Sequence, residues 1–144
     1  MVIEDATDHA ALVRVAARRA FPGLDVRVAG DGGEGIAYLE GTIPFQDRGF
    51  HPYPDLVILD LLMPGIDGFG VLERIRARKD PRRLPVVVLT ASRKEEHARR
   101  ALELGAVELY LKPDSLEELG EMVKDIVRAW MPAPAASVEP QSAR

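Results

Sequence analysis

Short apolar runs alternate along the chain with longer segments in which apolar residues recur at helical spacing. The short runs lie at residues 2–3, 25–29, 55–59, 85–89 and 107–111. Two stretches within them, 56–59 and 86–89, are wholly apolar, which is typical of central strands covered by helices on both faces. Five such strands alternating with five helices predict an α/β fold with a parallel sheet.

The starts of the helices are indicated by residues whose side chains cap helices. Thr7 or Asp8 is expected to cap the first helix, and Asp67 the third. A capping residue followed three positions later by an acidic one predicts the starts of the other three helices, at Asp31 with Glu34, Ser92 with Glu95, and Asp114 with Glu117. A loop with three prolines and three aromatic residues, 40–54, separates the second helix from the third strand.

Length and composition limit the function classes. The chain has 144 residues, a net charge of −4 and no cysteine. We expect one domain at 1–130 and a flexible tail at 131–144, rich in Pro, Ala and Ser. An acidic chain without a strongly basic face is not expected to bind nucleic acid. The lack of cysteine excludes disulfides and thiolate chemistry and favours a cytoplasmic location. No apolar stretch approaches the roughly 20 residues of a membrane helix.

Polar residues follow or close four of the predicted strands. They are Glu4 and Asp5, then Asp60, Thr90 and Lys112. The carboxyl ends of parallel strands lie at one edge of a sheet, where open α/β sheets bind their ligands. We therefore expect three carboxylates, a hydroxyl and an amine to share a small volume. Crowded carboxylates repel one another unless a cation joins them, and a site made of oxygen ligands favours Mg²⁺.

This combination of groups suits phosphoryl transfer. The Asp60 carboxylate would attack phosphorus and form an acyl phosphate. Mg²⁺ would offset the repulsion between this carboxylate and the phosphate. The Lys112 ammonium and the Thr90 hydroxyl would hold the other phosphate oxygens.

Three segments resemble the motifs of bacterial response-regulator receiver domains. Residues 60–68, DLLMPGIDG, are similar to the family's D-x-x-M-P-x-x-D-G segment. Residues 89–91, LTA, and 111–113, LKP, are similar to its fourth- and fifth-strand motifs. The separations between the polar residues of these segments match as well, at 30 positions (90 − 60) and 22 positions (112 − 90). The resemblance covers about residues 1–130.

The resemblance implies a flavodoxin-like (βα)5 fold with strand order 2-1-3-4-5, and a signalling protein rather than an enzyme. Asp60 would be the phosphoacceptor, with Thr90 and Lys112 contacting the phosphoryl group. The implied ligands of Mg²⁺ are Asp5, Asp60 and the backbone carbonyl of Leu62, with Glu4 contributing through water. The family usually has a cis peptide before the proline that matches Pro113.

The resemblance also implies partners. A sensor histidine kinase or a histidine phosphotransfer protein would exchange the phosphoryl group with Asp60, and the protein would assist its own phosphorylation and dephosphorylation. The chain is similar to single-domain, chemotaxis-type regulators, and its 40–54 loop resembles that of regulators that serve bacteriophytochromes. Output would depend on an unidentified partner, or on a homodimer through the face of helix four, strand five and helix five.

Several positions that modulate the family's response depart from its pattern. The switch aromatic usually lies three residues before the lysine, where this chain has Leu109. Tyr110 follows it, but neighbouring strand residues point to opposite faces, so Tyr110 could take that role only with a bulge. Leu62 and Ser92 lie at positions that flank the phosphoryl group in this family, and Ala91 is a further candidate for a modulating residue. An apolar Leu62 cannot orient an attacking water, so we expect a long-lived phosphoryl group.

Two other functions compete with a phosphorylated receiver. The first is a degenerate receiver acting as a phosphorylation-independent protein-binding module. The complete acidic pair with Asp60, Thr90 and Lys112 argues against it, and the altered switch position keeps it open. A phosphatase of the haloacid-dehalogenase type would need a second Asp two positions after Asp60, where this chain has Leu62. His9, His51 and His97 are expected to be solvated rather than catalytic, with His9 nearest to the predicted site.

Overall fold

The computed structural model describes residues 1–78, 80 and 83–132. Within this part of the chain, five strands alternate with five helices. The strands are β1 (Val2–Ile3), β2 (Val28–Ala29), β3 (Val57–Leu59), β4 (Val86–Thr90) and β5 (Glu108–Leu111). The helices are α1 (Thr7–Ala20), α2 (Gly32–Glu40), α3 (Gly68–Ala77), α4 (Glu95–Glu103) and α5 (Leu116–Trp130).

The strands form one parallel sheet in the order β2-β1-β3-β4-β5, which confirms the predicted fold class. Ile3 pairs with Leu59, and Leu59 pairs with Val88, so β1 and β3 end at the same level of the sheet. The predicted strand at 25–29 is shorter in the structure. Among the described strands its only neighbour is β1, which has two residues and therefore leaves the rest of that segment without a pairing partner.

The sheet buries apolar side chains on both faces, as the wholly apolar runs in β3 and β4 predict. Val57 and Leu59 belong to the core layer beneath α2, α3 and α4. Ile58 and Leu89 belong to the layer beneath α1 and α5. The alternation of side chains along each strand thus fills two cores, and burial on both faces holds the ends of the central strands in place.

Two helices begin as predicted. The Asp31 carboxylate accepts a hydrogen bond from the Glu34 N–H at 2.7 Å, and the Asp67 carboxylate accepts one from the Gly70 N–H at 3.0 Å. Each cap satisfies a backbone donor that the first turn of a helix leaves unpaired.

The other three helices begin differently from the prediction. Ala6 precedes α1, and its N–H donates to Oε1 of Glu4 at 3.1 Å, so a residue of the strand end fixes this turn instead of Thr7 or Asp8. Lys94 precedes α4 without a side-chain cap, and the Ser92 hydroxyl accepts from the Lys94 N–H at 3.3 Å and also faces His97. Ser115 caps α5 by accepting from the Glu118 N–H, one position after the predicted pair and with an equally good capping sequence.

The 40–54 loop folds back onto the end of α2. The Arg48 guanidinium donates to the carbonyl oxygens of Tyr38 and Leu39 at 2.7 and 2.8 Å, which satisfies the last carbonyls of that helix. It also lies 5.8 Å from the ring centres of both Tyr38 and Tyr53.

Most of the predicted tail, from 133 to 144, lies outside the described residues. Met131, just after α5, packs against the core layer of α1 and α5. Among the described helices, none is long and apolar enough to span a membrane.

Candidate functional site

The carboxyl ends of four strands meet at one edge of the sheet and bring the predicted polar residues together. Parallel pairing places Thr90 beside Leu111, the residue before Lys112. The Asp60 N–H donates to the Ile3 carbonyl at 3.0 Å, so the ends of β1 and β3 are joined directly. The residues that meet here are Glu4, Asp5, Asp60, Thr90 and Lys112.

Three carboxylates form the centre of this site. Glu4, Asp5 and Asp60 each place a carboxylate oxygen within 4.8 Å of the others. Glu4 and Asp60 are buried, each with 6% of its surface exposed, whereas Asp5 faces solvent. Oxygen ligands with one open side suit a hard divalent cation that keeps part of its water shell, so the residues present fit a Mg²⁺ ion.

The Lys112 side chain enters the site from β5 and offsets part of its negative charge. Its Nζ lies 2.7 Å from Oε2 of Glu4 and 3.7 Å from Oδ2 of Asp60. Only 10% of the side chain is exposed, so this charge is largely shielded from water. Glu4 is thus joined to Lys112 by a hydrogen-bonded ion pair, while Asp60 lies within reach of the same cation.

The surroundings of Asp60 raise the pKa of its carboxyl from 3.8 to about 6. Burial is the largest cause, and the negative charge of Glu4 is the next. The charge of Lys112 and a hydrogen bond from the Leu62 N–H to Oδ1, at 3.3 Å, act in the opposite direction. A carboxylate that is costly to ionise gains most when a cation binds beside it.

Thr90 is fully buried at the end of β4, and its hydroxyl is oriented by the loop that follows. Its Oγ1 accepts a hydrogen bond from the Ser92 N–H at 3.0 Å. Because the hydroxyl oxygen accepts, its proton stays available for another oxygen at the site. The Ser92 Oγ lies 2.6 Å from Nδ1 of His97 in α4, which ties this loop to the helix.

The loop after Asp60 passes beneath the first turn of α3. Leu62, whose carbonyl is the third predicted metal ligand, has 48% of its surface exposed, and Ala91 is also exposed. Gly68 approaches the strand end so closely that an added Cβ would lie 2.5 Å from the Asp60 carbonyl oxygen. Its N–H donates to the Leu61 carbonyl at 2.9 Å. Glycine is therefore needed here for space.

Leu109 and Tyr110 point to opposite faces of β5. The strand pairs with β4 residue for residue, so no bulge moves Tyr110 into the position of Leu109. Leu109 packs against the core layer beneath α2, α3 and α4, and Tyr110 packs against the layer beneath α1 and α5. The Tyr110 hydroxyl and the Trp130 indole N–H both donate to Oε2 of Glu108, at 2.5 and 3.0 Å. Tyr110 is thus held on the side of α5.

Two histidines contact the site, although the sequence predicted them to be solvated. Nδ1 of His9 lies 3.2 Å from Nζ of Lys112, and His97 holds Ser92. Both rings are only partly exposed. Their places in the sequence indicate that both lie near the site. His9 lies in the first turn of α1, directly after the acidic pair, and His97 lies in the helix that follows Thr90. His51 lies in the loop beside α2, away from these contacts, and its Nδ1 is buried.

The peptide bond before Pro113 is trans, contrary to the cis bond that the resemblance implied, and the cis bond of the described chain precedes Pro44. The two isomers of a bond before proline differ by only about 0.5–1 kcal/mol, so local sequence alone does not determine which one forms.

Comparisons with known proteins place the chain in a family. The family model for the response regulator receiver domain matches residues 1–124. The chain is 33% identical to the probable methanogenesis regulatory protein FilR2 of Methanothrix harundinacea, over 91% of this chain and 82% of that protein. It is 32% identical to response regulator Rcp1 of Synechocystis, over 91% of this chain and 87% of that protein. Another relative is longer: the match covers 39% of the phosphate regulon regulatory protein PhoB of Rhizobium meliloti.

Solved structures give the same grouping. The phosphorylated cyanobacterial phytochrome response regulator RcpA superposes with a TM-score of 0.84 at 29% identity, covering 93% of this chain and 94% of that one. The Mn²⁺-bound form of Rcp1 superposes with a TM-score of 0.80 at 29% identity, with the same coverage of both chains. The bacteriophytochrome response regulator AtBRR gives 0.71 at 30% identity, covering 94% of each chain. The chain therefore belongs to the response-regulator receiver domains of two-component signalling, with phytochrome-associated regulators among its near relatives.

Proposed function

We propose that this receiver is a Mg²⁺-dependent phosphorylation switch whose phosphoacceptor is Asp60. The observation that carries the proposal is the convergence of three carboxylates and a shielded lysine at one sheet edge. A carboxylate and a phosphate dianion repel each other, so attack by Asp60 on phosphorus requires positive charge beside both groups. The site supplies that charge through Lys112, and its acidic pocket can hold a divalent ion.

The residues have distinct roles in this proposal. An oxygen of Asp60 forms the new bond to phosphorus, and the bond from phosphorus to the donor nitrogen or oxygen breaks, with its electron pair leaving on the donor. When bound, Mg²⁺ neutralises charge on the carboxylates and on the phosphoryl oxygens. Asp5, Asp60 and the Leu62 carbonyl would bind it directly, and Glu4 through water. Lys112 and the hydroxyl proton of Thr90 would hold two phosphoryl oxygens.

The phosphoryl donor would be a phosphohistidine of a sensor kinase or of a histidine phosphotransfer protein. The relatives that support this proposal are themselves regulators, and the chain matches FilR2 and Rcp1 over most of their length. We propose that the chain acts as a single-domain regulator of residues 1–130, located in the cytoplasm, and that it assists its own phosphorylation and dephosphorylation. The exposed, apolar Leu62 beside Asp60 should make hydrolysis slow, because it cannot orient a water molecule.

Output would pass through the face formed by α4, β5 and α5. This face carries exposed apolar side chains at Leu102, Val107 and Leu111, which could meet a partner or a second copy of the chain. With Leu109 in place of an aromatic residue, the link from Thr90 to this face would run through Ser92 and His97.

The alternative is a degenerate receiver that binds its partner without phosphorylation. The observation in its favour is that Tyr110 is held against Glu108 and Trp130, on the side of β5 away from Leu109. Such a protein would retain the fold and the output face but would show no dependence on Asp60.

Incubation with Mg²⁺ and acetyl phosphate separates the two functions. We expect a phosphate-sized gain in intact mass for the wild type, blocked by EDTA and absent from Asp60→Asn. If the phosphorylated form is too short-lived to detect, binding of the phosphoryl mimic beryllofluoride is measured by NMR instead. If neither the mass gain nor beryllofluoride binding is observed, the constitutive binding module is the better description.

A further inference from the structure

The Lys112 ammonium has a third neighbour that lies outside the carboxylate cluster. Nδ1 of His9, in the first turn of α1, lies 3.2 Å from Nζ. An ammonium group only donates hydrogen bonds, so Nδ1 must accept and the ring proton must sit on Nε2. His9 therefore holds Lys112 as a neutral acceptor on the side of α1.

The stronger contact of Lys112, with Glu4, conflicts with metal binding. One oxygen of Glu4 accepts from Lys112 at 2.7 Å, and the other accepts from the Ala6 N–H at 3.1 Å. A divalent ion among the carboxylates would compete for Glu4 and would repel the nearby ammonium. The bond between Glu4 and Lys112 should therefore weaken in the metal-loaded state, which is the state in which Asp60 would react.

The contact with His9 does not share this conflict. Its acceptor is an uncharged nitrogen, and a hard ion with three carboxylates available prefers their oxygens. His9 is also carried by a helix that packs on the sheet, and α1 begins just after the acidic pair, so its backbone is fixed relative to the site.

We propose that His9 is a positioning residue for phosphoryl transfer, because it keeps the Lys112 ammonium beside Asp60 when a metal ion engages Glu4. This inference rests on the proposed function of Asp60 as phosphoacceptor. A lysine held in place presents its charge to the phosphoryl oxygens without having to reorganise, which lowers the barrier of the transfer step.

Two substitutions separate the hydrogen bond from the packing of the ring. His9→Leu removes the acceptor but keeps a branched side chain, whereas His9→Asn keeps an acceptor, Oδ1, bonded to the same γ-carbon. At saturating Mg²⁺ we expect His9→Leu to slow phosphorylation by acetyl phosphate about 3- to 10-fold, and His9→Asn to stay within about 2-fold of wild type. Arg18→Leu, at an exposed position further along α1, is the matched control and should keep the wild-type rate.

A second measurement does not depend on phosphorylation. Amine-reactive labelling of Lys112 in Mg²⁺, quantified by peptide mass spectrometry, should increase in His9→Leu and not in His9→Asn. Equal labelling and equal rates in all three proteins would overturn the proposal, and so would an equal loss of rate in both variants, since that result indicates packing alone. If the wild type takes no phosphoryl group, the proposed function fails, and the labelling still decides whether His9 holds Lys112.

Discussion

Replacing Asp60 with Asn should make the metal-free protein more stable. The folded-state pKa of this carboxyl is about 6, against 3.8 for an unperturbed group, so at neutral pH its ionised form destabilises the folded state. A difference of about two pKa units corresponds to about 3 kcal/mol, and local relaxation reduces it, so we expect a gain of about 1–3 kcal/mol. Asn keeps the oxygen that accepts the Leu62 N–H and carries no charge to repel Glu4.

The pH dependence of this gain has a definite direction. Because the pKa of Asp60 is higher in the folded state, the folded protein binds more protons than the unfolded chain between about pH 4 and pH 6. The contribution of Asp60 to stability is therefore fully present below this window and is lost as the pH rises through it. The advantage of Asp60→Asn should be small near pH 4 and complete by about pH 7.

Urea denaturation in EDTA at a series of pH values measures this gain. Asp55→Asn, the same change at an exposed position before β3, is the matched control and should stay within about 0.5 kcal/mol of wild type. Adding Mg²⁺ should stabilise the wild type more than Asp60→Asn and so narrow the difference between them. A variant that is less stable than wild type in EDTA, or a gain that does not change with pH, would refute the reasoning.

Three further predictions concern neighbours of Asp60. Lys112→Met leaves the buried Glu4 without its ion-pair partner, so the free energy of unfolding should fall by about 2–4 kcal/mol in urea denaturation, and an unchanged value would contradict the account. Gly68→Ala places a Cβ 2.5 Å from the Asp60 carbonyl oxygen, so it should destabilise the protein by on the order of 2 kcal/mol and weaken Mg²⁺ binding. The control is Gly120→Ala in α5, where an added Cβ meets no atom within 4 Å. It should instead stabilise the protein by up to about 1 kcal/mol, with both variants compared by thermal denaturation. Leu62→Asn gives a water molecule a polar partner beside Asp60, so loss of the phosphoryl group, followed by intact mass, should be several-fold faster, and an unchanged rate would remove the role given to Leu62.

The fold could be predicted because its signals are local and repeated. The wholly apolar stretches at 56–59 and 86–89 indicate central strands, and the structure places both in the middle of the sheet. The sequence was less informative where an element depends on a neighbour. The length of β2 follows from its pairing with β1, and the start of α1 depends on the Glu4 carboxylate rather than on a cap within the helix.

The gathering of polar residues at the site could be predicted for a similar reason. The ends of parallel strands lie together whatever the side chains are, so Glu4, Asp5 and Asp60 could be placed from their positions alone. The contacts of His9 and His97 could not, because they depend on the reach and rotamer of side chains on helices. Such contacts follow from the packing of α1 and α4 on the sheet, so the positions of the two histidines in the sequence indicate only that they lie near the site.

The claim that Asp60 carries the phosphoryl group is tested most directly by locating the modification. Borohydride reduces an acyl phosphate on aspartate to homoserine, and peptide mass spectrometry can place that residue after treatment with Mg²⁺ and acetyl phosphate. We predict homoserine at position 60, with none when EDTA is present. Homoserine at another aspartate, or none in a sample whose intact mass shows phosphorylation, would contradict the account.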